Sequence, residues 1–460
     1  MSASALARLV RRREVSPVEV VAAHLRRVEE LNPRLNAVVA VAPDATEAAR
    51  RAEDALMRRE PVGALHGVPV TVKDTIDAAG LTATAGSRLR SGRVPFSDAP
   101  SVARLRAAGA VILGKTNTSE LALDYTADNP VHGRTLNPHS SAHTPGGSSG
   151  GCAAAVASCL TAASLGSDLT GSVRVPAHFC GVLGLRPTAA RVPSGGHLPP
   201  AEGVFSLAAS LGPLARSVED LELLFEVLSG ESDGARSSAA SSDAGGLRGR
   251  RFAVYADDGV VPVSEETRAA VEGAARALEE AGLVAVRERP PGVGEGHGLW
   301  LALFSQVTRA FVRTTYAGRE DEGGPVVRAM LGLDAKTKPP ALEEFFGAWA
   351  RRDELRAALV EYMKEVPLLV APVGSTAAFE HGARKATVGG ETFSLFRAFG
   401  YAQTFNVFDL PAACVPAGRT RDGLPVGVQL VGRPFGEATV LRAARLLEES
   451  LGGWQPPGGM

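Results

Sequence analysis

One lysine and two serines have the residue types and local sequences that acyl transfer requires. Lys73 ends the apolar segment VPVTVKD, Ser148 lies within PGGSSGG, and Ser172 lies within GSDLTGSVRVP, 24 residues after Ser148. Glycine-rich turns can present a serine hydroxyl, and a lysine with a lowered pKa can remove its proton. The three residues therefore supply a nucleophile, a proton relay and a base without a histidine. Acyl transfer from a polar bond is the chemistry they suit.

A lysine at the end of a strand usually extends its ammonium group into solvent, which is the simplest interpretation of Lys73. On a strand, however, Lys73 points to the same side as Thr71 and away from Asp74, so the neighbouring carboxylate need not pair with it. A free lysine has a pKa of about 10.4, and a base that works at neutral pH needs a value near 7. Burial can lower the pKa in this way, whereas an ion pair would oppose the change.

Two motifs point to other chemistries. The segment GAVILGKT (109–116) satisfies the pattern G-x-x-x-x-G-K-[ST] of phosphate-binding loops. A phosphate loop follows a strand and leaves its backbone amides free, but here a helical pattern precedes Gly109 and Ala-Val-Ile-Leu is typical of a buried strand. We therefore reject nucleotide binding.

The second motif is G-x-S-x-G at residues 146–150, the nucleophile elbow of another hydrolase class, which needs a catalytic histidine. No apolar strand precedes these glycines, and His178, His197, His297 and His381 lie in no recognisable catalytic sequence. The glycines could also form a flexible linker. A linker would not normally run directly into the apolar segment that follows, so we disfavour both interpretations.

The chain resembles the amidase signature family of serine hydrolases. The resemblance weakens between about residues 230 and 400 and is carried by these segments: SPVEVVAAHLRRVEELNPRLNAVV (16–39), LHGVPVTVKD (65–74), AAGAVILGKTN (107–117), PGGSSGG (145–151), GSVRVPAHFCGVLGLRPT (171–188), SLGPLARSVEDL (210–221) and GLPVGVQLVGRP (423–434).

This resemblance implies a Ser, cis-Ser, Lys triad in which Ser172 is the nucleophile, Ser148 is the relay serine with a cis peptide bond, and Lys73 is the base. The resemblance also implies that Asn117, Asp168 and Arg174 support the catalytic loop rather than take part in the reaction. For the two charged residues, Asp168 and Arg174, a surface salt bridge would be the simpler explanation.

The resemblance further implies an oxyanion hole formed by the backbone N–H groups of Leu169, Thr170, Gly171 and Ser172. Each such donor is typically worth about 2.7–4 kcal/mol in the transition state. Thr170 departs from the family, where this position usually holds glycine or another small residue. Because a β-branched residue resists positive φ, we expect either a backbone that suits threonine or weakened catalysis, and we expect Thr170→Gly to keep or raise kcat.

Composition restricts the other functions. With 460 residues, 45% of them hydrophobic, and a formal net charge of −1, the chain resembles a packed globule without the basic footprint of a nucleic-acid-binding protein. The N-terminus lacks the apolar core of a secretory signal, and no stretch is apolar enough to span a membrane. We expect a cytoplasmic protein with no nucleic-acid partner, no cofactor and no metal site, its four cysteines being reduced; a homodimer is left open.

Alternating strand and helix patterns predict an α/β fold with a mixed β-sheet core covered by helices on both faces. Residues 4–60 are predicted to form two helices that break at Asn32-Pro33. The predicted strands are VPVTVKD (68–74), GAVILGKT (109–116), CAAAVASC (152–159), VLGLRPT (182–188) and FAVYADD (252–258). The predicted helices are SVARLRAAG (101–109), SVEDLELLFEVLSG (217–230) and EETRAAVEGAARALEEAG (265–282).

We interpret residues 1–460 as a single domain. It would contain a helical N-terminal segment (about 1–60), a mobile insertion rich in Ser, Ala and Gly (about 230–250) and a variable, substrate-selecting region (about 290–410). A domain boundary at the insertion is the alternative. The resemblance opposes it because strands from both sides of the insertion would belong to one sheet.

The expected activity is hydrolysis of a small-molecule carboxylic amide through a Ser172 acyl-enzyme. Residues 304–408 contain ten of the sixteen phenylalanines. Most should pack in the core, and some are candidates for an apolar or aromatic acyl pocket. The alternative is a glutamine-hydrolysing subunit of a tRNA-dependent amidotransferase, which we disfavour because no charged pair for the glutamine α-amino and α-carboxylate groups is evident. A non-catalytic relative is disfavoured because the three triad residues are present.

Overall fold

In the computed structural model, eleven of the described strands form one large sheet, and the other four form two separate two-stranded sheets. The structure describes residues 1–200, 203–230, 246–337 and 339–458, so most of the predicted insertion at 230–250 lies outside the described residues. The strands are β1 (Val38–Val41), β2 (Pro69–Lys73), β3 (Val111–Thr116), β4 (Asp128–Asn129), β5 (Gly133–Arg134), β6 (Ala163–Asp168), β7 (Leu183–Arg186), β8 (Ser210–Ala215), β9 (Arg251–Val254), β10 (Val284–Val286), β11 (Leu368–Pro372), β12 (Lys385–Val388), β13 (Glu391–Ser394), β14 (Ala412–Arg419) and β15 (Pro425–Gly432).

Helices occupy the segments between the strands. They are α1 (Ala3–Arg11), α2 (Pro17–Leu35), α3 (Ala45–Met57), α4 (Pro100–Ala107), α5 (Gly150–Ala157), α6 (Arg174–Cys180), α7 (Val218–Ser229), α8 (Glu265–Glu280), α9 (Gly296–Trp300), α10 (Gln306–Thr315), α11 (Pro325–Asp334), α12 (Leu342–Glu365), α13 (Leu395–Ala398), α14 (Gly400–Val407) and α15 (Glu437–Leu451). A π-helical turn, Leu301–Ser305, joins α9 to α10.

The main sheet contains eleven of the described strands in the order β1-β3-β2-β6-β8-β7-β14-β15-β11-β9-β10. It is mixed: β2 runs parallel to β3 and β6, whereas β6 and β8, and β14 with both β7 and β15, are antiparallel. Strand β14 follows the insertion in sequence and pairs directly with β7, which precedes it. The α/β prediction of a mixed sheet with helices is confirmed.

The parallel strands β2, β3 and β6 position the chemistry. All residues of these three strands are buried, as expected for strands inside a sheet that is covered on both faces. Because the strands are parallel, their carboxyl ends meet at one edge of the sheet, where Lys73 ends β2 and Asp168 ends β6. Two residues from separate sequence motifs are thereby brought to the same edge.

Two local predictions are wrong. The N-terminal segment contains three helices and strand β1 rather than two helices, and α2 continues through Pro33 to Leu35. Proline in the last turn removes a single backbone hydrogen bond, and the helix ends instead at Asn36, which has a left-handed φ of 52°.

The segment 152–159, predicted as a strand, lies mainly in helix α5. Four of its eight residues are alanine, the residue with the highest helix propensity, and the helix is buried on all sides. Its uniform burial removes the amphipathic period that would have distinguished a helix from a strand. The neighbouring strand is β6, which begins at Ala163.

Candidate active site

Lys73 is fully buried at the end of β2, and its Nζ atom lies 2.7 Å from Ser148 Oγ and 2.9 Å from Ser167 Oγ. Burial lowers the pKa of Lys73 to about 7. The adjacent carboxylate of Asp74 turns away, as the strand alternation predicts, and accepts hydrogen bonds from the backbone N–H groups of Thr84 (3.2 Å) and Gly86 (3.4 Å). Lys73 is therefore desolvated and hydrogen-bonded to Ser148.

Ser148 lies in a buried turn that immediately precedes α5, and the Gly147–Ser148 peptide bond is cis. Gly146 has a left-handed φ of 81°, and a Cβ atom on Gly147 would lie 2.2 Å from the carbonyl oxygen of Thr126. Only glycine fits such close contact with the neighbouring backbone. The turn is thus a packed part of the core and not a linker.

Ser172 lies just before α6 and is 4% exposed. Its backbone carbonyl accepts a hydrogen bond from the N–H of Ser149 (3.2 Å), which joins the two serine-bearing loops. Its Oγ atom lies 3.3 Å from the hydroxyl oxygen of Thr170. Ser148 and Ser172 line the same cavity, so the structure brings the three predicted triad residues together.

Asp168 and Arg174 form a fully buried ion pair rather than a surface salt bridge, with Nε–Oδ2 and Nη2–Oδ1 distances of 3.0 and 3.1 Å. Asp168 also accepts from the backbone N–H groups of Gly171 (2.7 Å) and Val173 (3.1 Å). Burial alone would raise the pKa of Asp168, but the charge and hydrogen bonds of Arg174 outweigh it and hold the pKa below its usual range. The pair therefore holds the backbone on both sides of Ser172 through the carboxylate of Asp168.

The loop 168–172 is also held by aromatic side chains from distant segments. The indole N–H of Trp300 donates to the carbonyl of Leu169 (3.1 Å), and the hydroxyl of Tyr125 donates to the carbonyl of Thr170 (2.7 Å). In a trans peptide the N–H points opposite to the C=O, so these contacts orient the N–H groups of Thr170 and Gly171.

The positive φ of this loop falls on Gly171 (98°) and not on Thr170, so the backbone suits threonine. The N–H of Gly171 donates to Asp168. Because this N–H is already hydrogen-bonded, the backbone N–H groups of Leu169, Thr170 and Ser172 are the remaining candidates for binding the oxyanion.

Asn117 is fully buried and does not line the catalytic cavity. Its side-chain amide donates to the carbonyl of Gly133 and to Thr135 Oγ1, both at 3.0 Å, and its backbone carbonyl accepts from Gly151 (3.2 Å) at the start of α5. These contacts fix the segment after β3 against the turn that carries Ser148. Asn117 thus holds the site in place without lining it.

The catalytic cavity has a volume of about 290 Å³. Ser148, Ser167, Thr170 and Ser172 line it, together with His197. Most of the remaining wall is apolar or aromatic, from Leu123, Tyr125, Phe205, Leu211, Trp300, Leu301, Met330, Leu333 and Phe396. Among the described residues that line it, none is an arginine or a lysine.

Sequence reasoning missed several of these residues. Ser167 could have been identified from the sequence, because it immediately precedes the predicted loop 168–172. Trp300 and Tyr125 carry none, because they reach the loop from segments more than 40 residues away in sequence. Among the ten phenylalanines of 304–408, all described, Phe396 alone lines the cavity.

Charged and sulfur-containing side chains elsewhere in the described ranges form neither a metal-binding cluster nor a disulfide. Among the described residues, no group of three or more His, Cys, Asp or Glu side chains could hold a metal ion. The four cysteines are unpaired. No described helix is both long and apolar enough to cross a membrane.

A protein-family model described as Amidase matches residues 19–441. The chain belongs to the amidase signature family. A curated relative from Anaeromyxobacter sp. (strain K), named as a subunit of glutamyl-tRNA(Gln) amidotransferase, is 36% identical, and the match covers 95% of this chain and 94% of the relative.

Two solved structures share the fold over nearly the whole length. The 6-aminohexanoate cyclic dimer hydrolase is 29% identical (TM-score 0.84; 100% of this chain and 98% of that one), and a bacterial aryl acylamidase is 26% identical (TM-score 0.86; 98% and 96%). The resemblance to the amidase signature family is therefore confirmed.

The curated relatives correct one expectation. The near-neutral charge led us to expect no nucleic-acid partner, but five relatives that are 33–37% identical are named as subunits of a tRNA amidotransferase. That expectation is wrong. A net charge summed over a whole chain is a poor test, because opposite charges on separate surfaces cancel in the sum.

Proposed function

We propose that this protein is an amide hydrolase in which Ser172 forms the acyl-enzyme, Ser148 relays protons and Lys73 is the base. The contact that carries the proposal is the 2.7 Å distance between Lys73 Nζ and Ser148 Oγ in a buried site. A lysine with a pKa of about 7 is substantially neutral at physiological pH, so it can accept a proton.

In the proposed reaction, Lys73 takes a proton from Ser148 as Ser148 takes one from Ser172, and the Ser172 oxygen attacks the amide carbonyl. The proton returns through Ser148 to the leaving nitrogen as the C–N bond breaks, which releases ammonia or an amine. Water then attacks the acyl-enzyme, giving its proton to the same relay, and the acid and free Ser172 are formed.

The wall of the cavity supports an apolar or aromatic acyl group. Trp300, Met330 and Phe396 offer apolar and aromatic surface in the same cavity as the serines, and the lining residues include no arginine or lysine for a carboxylate. Ligand pockets are commonly lined by apolar and aromatic side chains, which bury most of the ligand surface, while a few polar groups orient the ligand. Trp300 and Phe396 also lie in the region where we predicted substrate selection.

A glutamine-hydrolysing subunit of a tRNA-dependent amidotransferase is the second candidate. The names of the curated relatives support it more strongly than a free-standing amidase. Asp124 lines both the catalytic cavity and a neighbouring cavity, and Arg384 of that neighbour lies 4.0 Å from its carboxylate. Such an acid and base side by side could hold the α-amino and α-carboxylate groups of glutamine.

The two candidates predict different substrates for the purified chain. As an apolar amidase, it should hydrolyse phenylpropionamide with a kcat/KM at least tenfold above that for glutamine, with no added protein. A higher kcat/KM for glutamine, lost in Arg384→Met, would favour the second candidate and overturn the first. Ammonia release measures both reactions.

Ser172→Ala is the control, and it should abolish hydrolysis of both amides and labelling by a fluorophosphonate. Ser148→Ala should lower the rate but keep the Ser172 hydroxyl available for labelling. If labelling survived in Ser172→Ala and vanished in Ser148→Ala, the assignment of the nucleophile would be wrong.

A further inference from the structure

His197 is a half-buried histidine in the wall of the catalytic cavity, and the proposed reaction gives it no role. Its Nδ1 atom lies 2.7 Å from the carbonyl oxygen of Pro199. A carbonyl can only accept, so Nδ1 must carry the ring proton, and the opposite nitrogen, Nε2, is left with a lone pair. The backbone contact therefore fixes the tautomer of His197 as a hydrogen-bond acceptor.

The Nε2 atom of His197 is buried and has no hydrogen-bond partner among the described residues. Leaving a buried polar atom without a partner is unfavourable, because the atom has lost its hydrogen bonds to water. Most buried polar groups are satisfied, so an exception in a cavity wall indicates a partner that arrives from outside the chain. Burial lowers the pKa of His197 to about 3, and the charge of Lys73 acts in the same direction, so the ring stays neutral.

His197 lies near the end of the strand that carries Lys73. It pairs with Ile76 through an isolated β-bridge, three residues after Lys73, and it shares the cavity with Ser148. In the proposed reaction the leaving nitrogen receives its proton from Ser148, so that nitrogen must approach the same side. An amide nitrogen with an N–H brings a donor to this place, whereas the leaving oxygen of an ester brings none.

We propose that His197 is a specificity-determining residue whose Nε2 atom accepts a hydrogen bond from the N–H of the substrate's leaving nitrogen. The inference rests on the proposed amide hydrolysis and extends it, because it selects amides that carry an N–H over esters with the same acyl group. A site built to pair with a donor discriminates against an analogue that lacks it, since the acceptor is then left buried and unpaired.

The test is a comparison of kcat/KM for a primary amide and the methyl ester of the same phenylpropionyl group. Because kcat/KM reports acylation, it is sensitive to the leaving group, whereas both substrates give the same acyl-enzyme. We expect His197→Phe to lower kcat/KM for the amide about tenfold or more and to leave that for the ester within about threefold. His197→Gln, which has a carbonyl acceptor, should recover part of the amide activity.

His381→Phe is the matched control. The Nε2 atom of His381 is also buried without a hydrogen-bond partner among the described residues, but His381 does not line the cavity. This variant should leave the amide-to-ester ratio unchanged. If His197→Phe lowered both activities equally, or neither, His197 would have a structural role or hold only water, and the inference would be overturned.

Fluorophosphonate labelling of Ser172 separates this outcome from failure of the proposed function. If the probe did not label the wild-type protein and the protein hydrolysed neither substrate, the proposal that it is an amide hydrolase would be refuted. Labelled protein with an unchanged ratio in His197→Phe would refute only the role of His197. Should the phenylalanine variant fail to fold by circular dichroism, the amide-to-ester ratio measured in His197→Gln and His197→Ala decides, with a larger fall expected in the alanine variant than in the glutamine variant.

Discussion

Burial gives the side chain of Lys73 the properties of a base. The ammonium form loses its hydration inside the sheet, and its two closest polar neighbours are the neutral hydroxyls of Ser148 and Ser167. Had Asp74 pointed to the same side, its negative charge would have raised the pKa again. The alternation of side chains along β2 thus separates the base from the carboxylate next to it.

The pKa of Lys73 predicts the pH dependence of the reaction. The protonated amine cannot act as a base, so kcat/KM for a neutral amide should rise with pH from 6 to 8 with a midpoint near 7, and then level off. Lys73→Ala should lower kcat at least a hundredfold and remove this rise, whereas His178→Ala, outside the cavity, should retain it. A midpoint that persisted in Lys73→Ala would assign the titration to another group.

The hydroxyl of Thr170 changes our interpretation of that residue. Because φ at Thr170 is not positive, glycine offers the backbone no advantage there, and the expected gain from Thr170→Gly loses its basis. The hydroxyl lies 3.3 Å from Ser172 Oγ, close enough to hold the nucleophile in position.

We predict that Thr170→Val, which keeps the shape but loses the hydroxyl, lowers kcat about three- to tenfold, as expected for one lost hydrogen bond. Thr170→Ser should retain most of the wild-type kcat. Steady-state kinetics on one amide, with folding checked by circular dichroism, measures both. Equal rates in the valine and wild-type enzymes would show that only the backbone of this residue contributes.

At the scale of elements, the loop 168–172 depends on contacts from several parts of the fold. Arg174 at the start of α6 connects Asp168 to Gln429 on β15 and to Asn406 in α14, with side-chain contacts of 2.7 Å to each amide oxygen. The loop is therefore held by segments that are more than 200 residues apart in sequence. Its geometry should respond to the loss of any one of these contacts.

Removing one partner of the buried Asp168–Arg174 pair should be costly, because the other charge is left uncompensated. We predict that Arg174→Met lowers the free energy of unfolding by about 3–5 kcal/mol and abolishes labelling of Ser172. Urea unfolding measures the change. Arg351→Met, which breaks only exposed pairs with Glu295 and Glu354, is the control and should show no measurable difference. Similar stability in both variants would mean that other contacts hold the loop.

The mixed sheet could be predicted from local apolar patterns in the sequence. The three residues proposed as a triad could be singled out because Lys73 ends an apolar strand and the serines lie in glycine-rich turns, and their roles remain a proposal. Helix α5 was missed because its uniform burial gives no amphipathic period. The roles of Trp300 and His197 could not be predicted because each depends on a contact or an unpaired atom that only the assembled fold creates.

At the scale of the molecule, the order of strands supports the prediction of one domain. Strand β7, from before residues 231–245, pairs with β14, from after them, and the main sheet continues on both sides of that pair. A division of the chain at the predicted insertion would cut through a continuous set of backbone hydrogen bonds. We therefore propose that the chain unfolds as one cooperative unit.

Leu430 offers a test of this cooperativity. It is fully buried on β15, where it pairs with Val370 and Ala413, and it is distant in sequence from the triad. Leu430→Ala should lower the free energy of unfolding by about 2–5 kcal/mol, the usual cost of a cavity of this size.

Two probes report on different parts of the chain during urea unfolding. Labelling of Ser172 reports on the N-terminal half, and tryptophan fluorescence reports on Trp300, Trp349 and Trp454. If the chain is one unit, Leu430→Ala should shift the loss of both signals to lower urea concentration together. Leu342→Ala, at a leucine that is 64% exposed, should shift neither. A shift in fluorescence alone would show that the C-terminal part unfolds independently. In that case the N-terminal part would not share the sheet with β15, so the cavity at position 430 would leave the labelling of Ser172 unchanged.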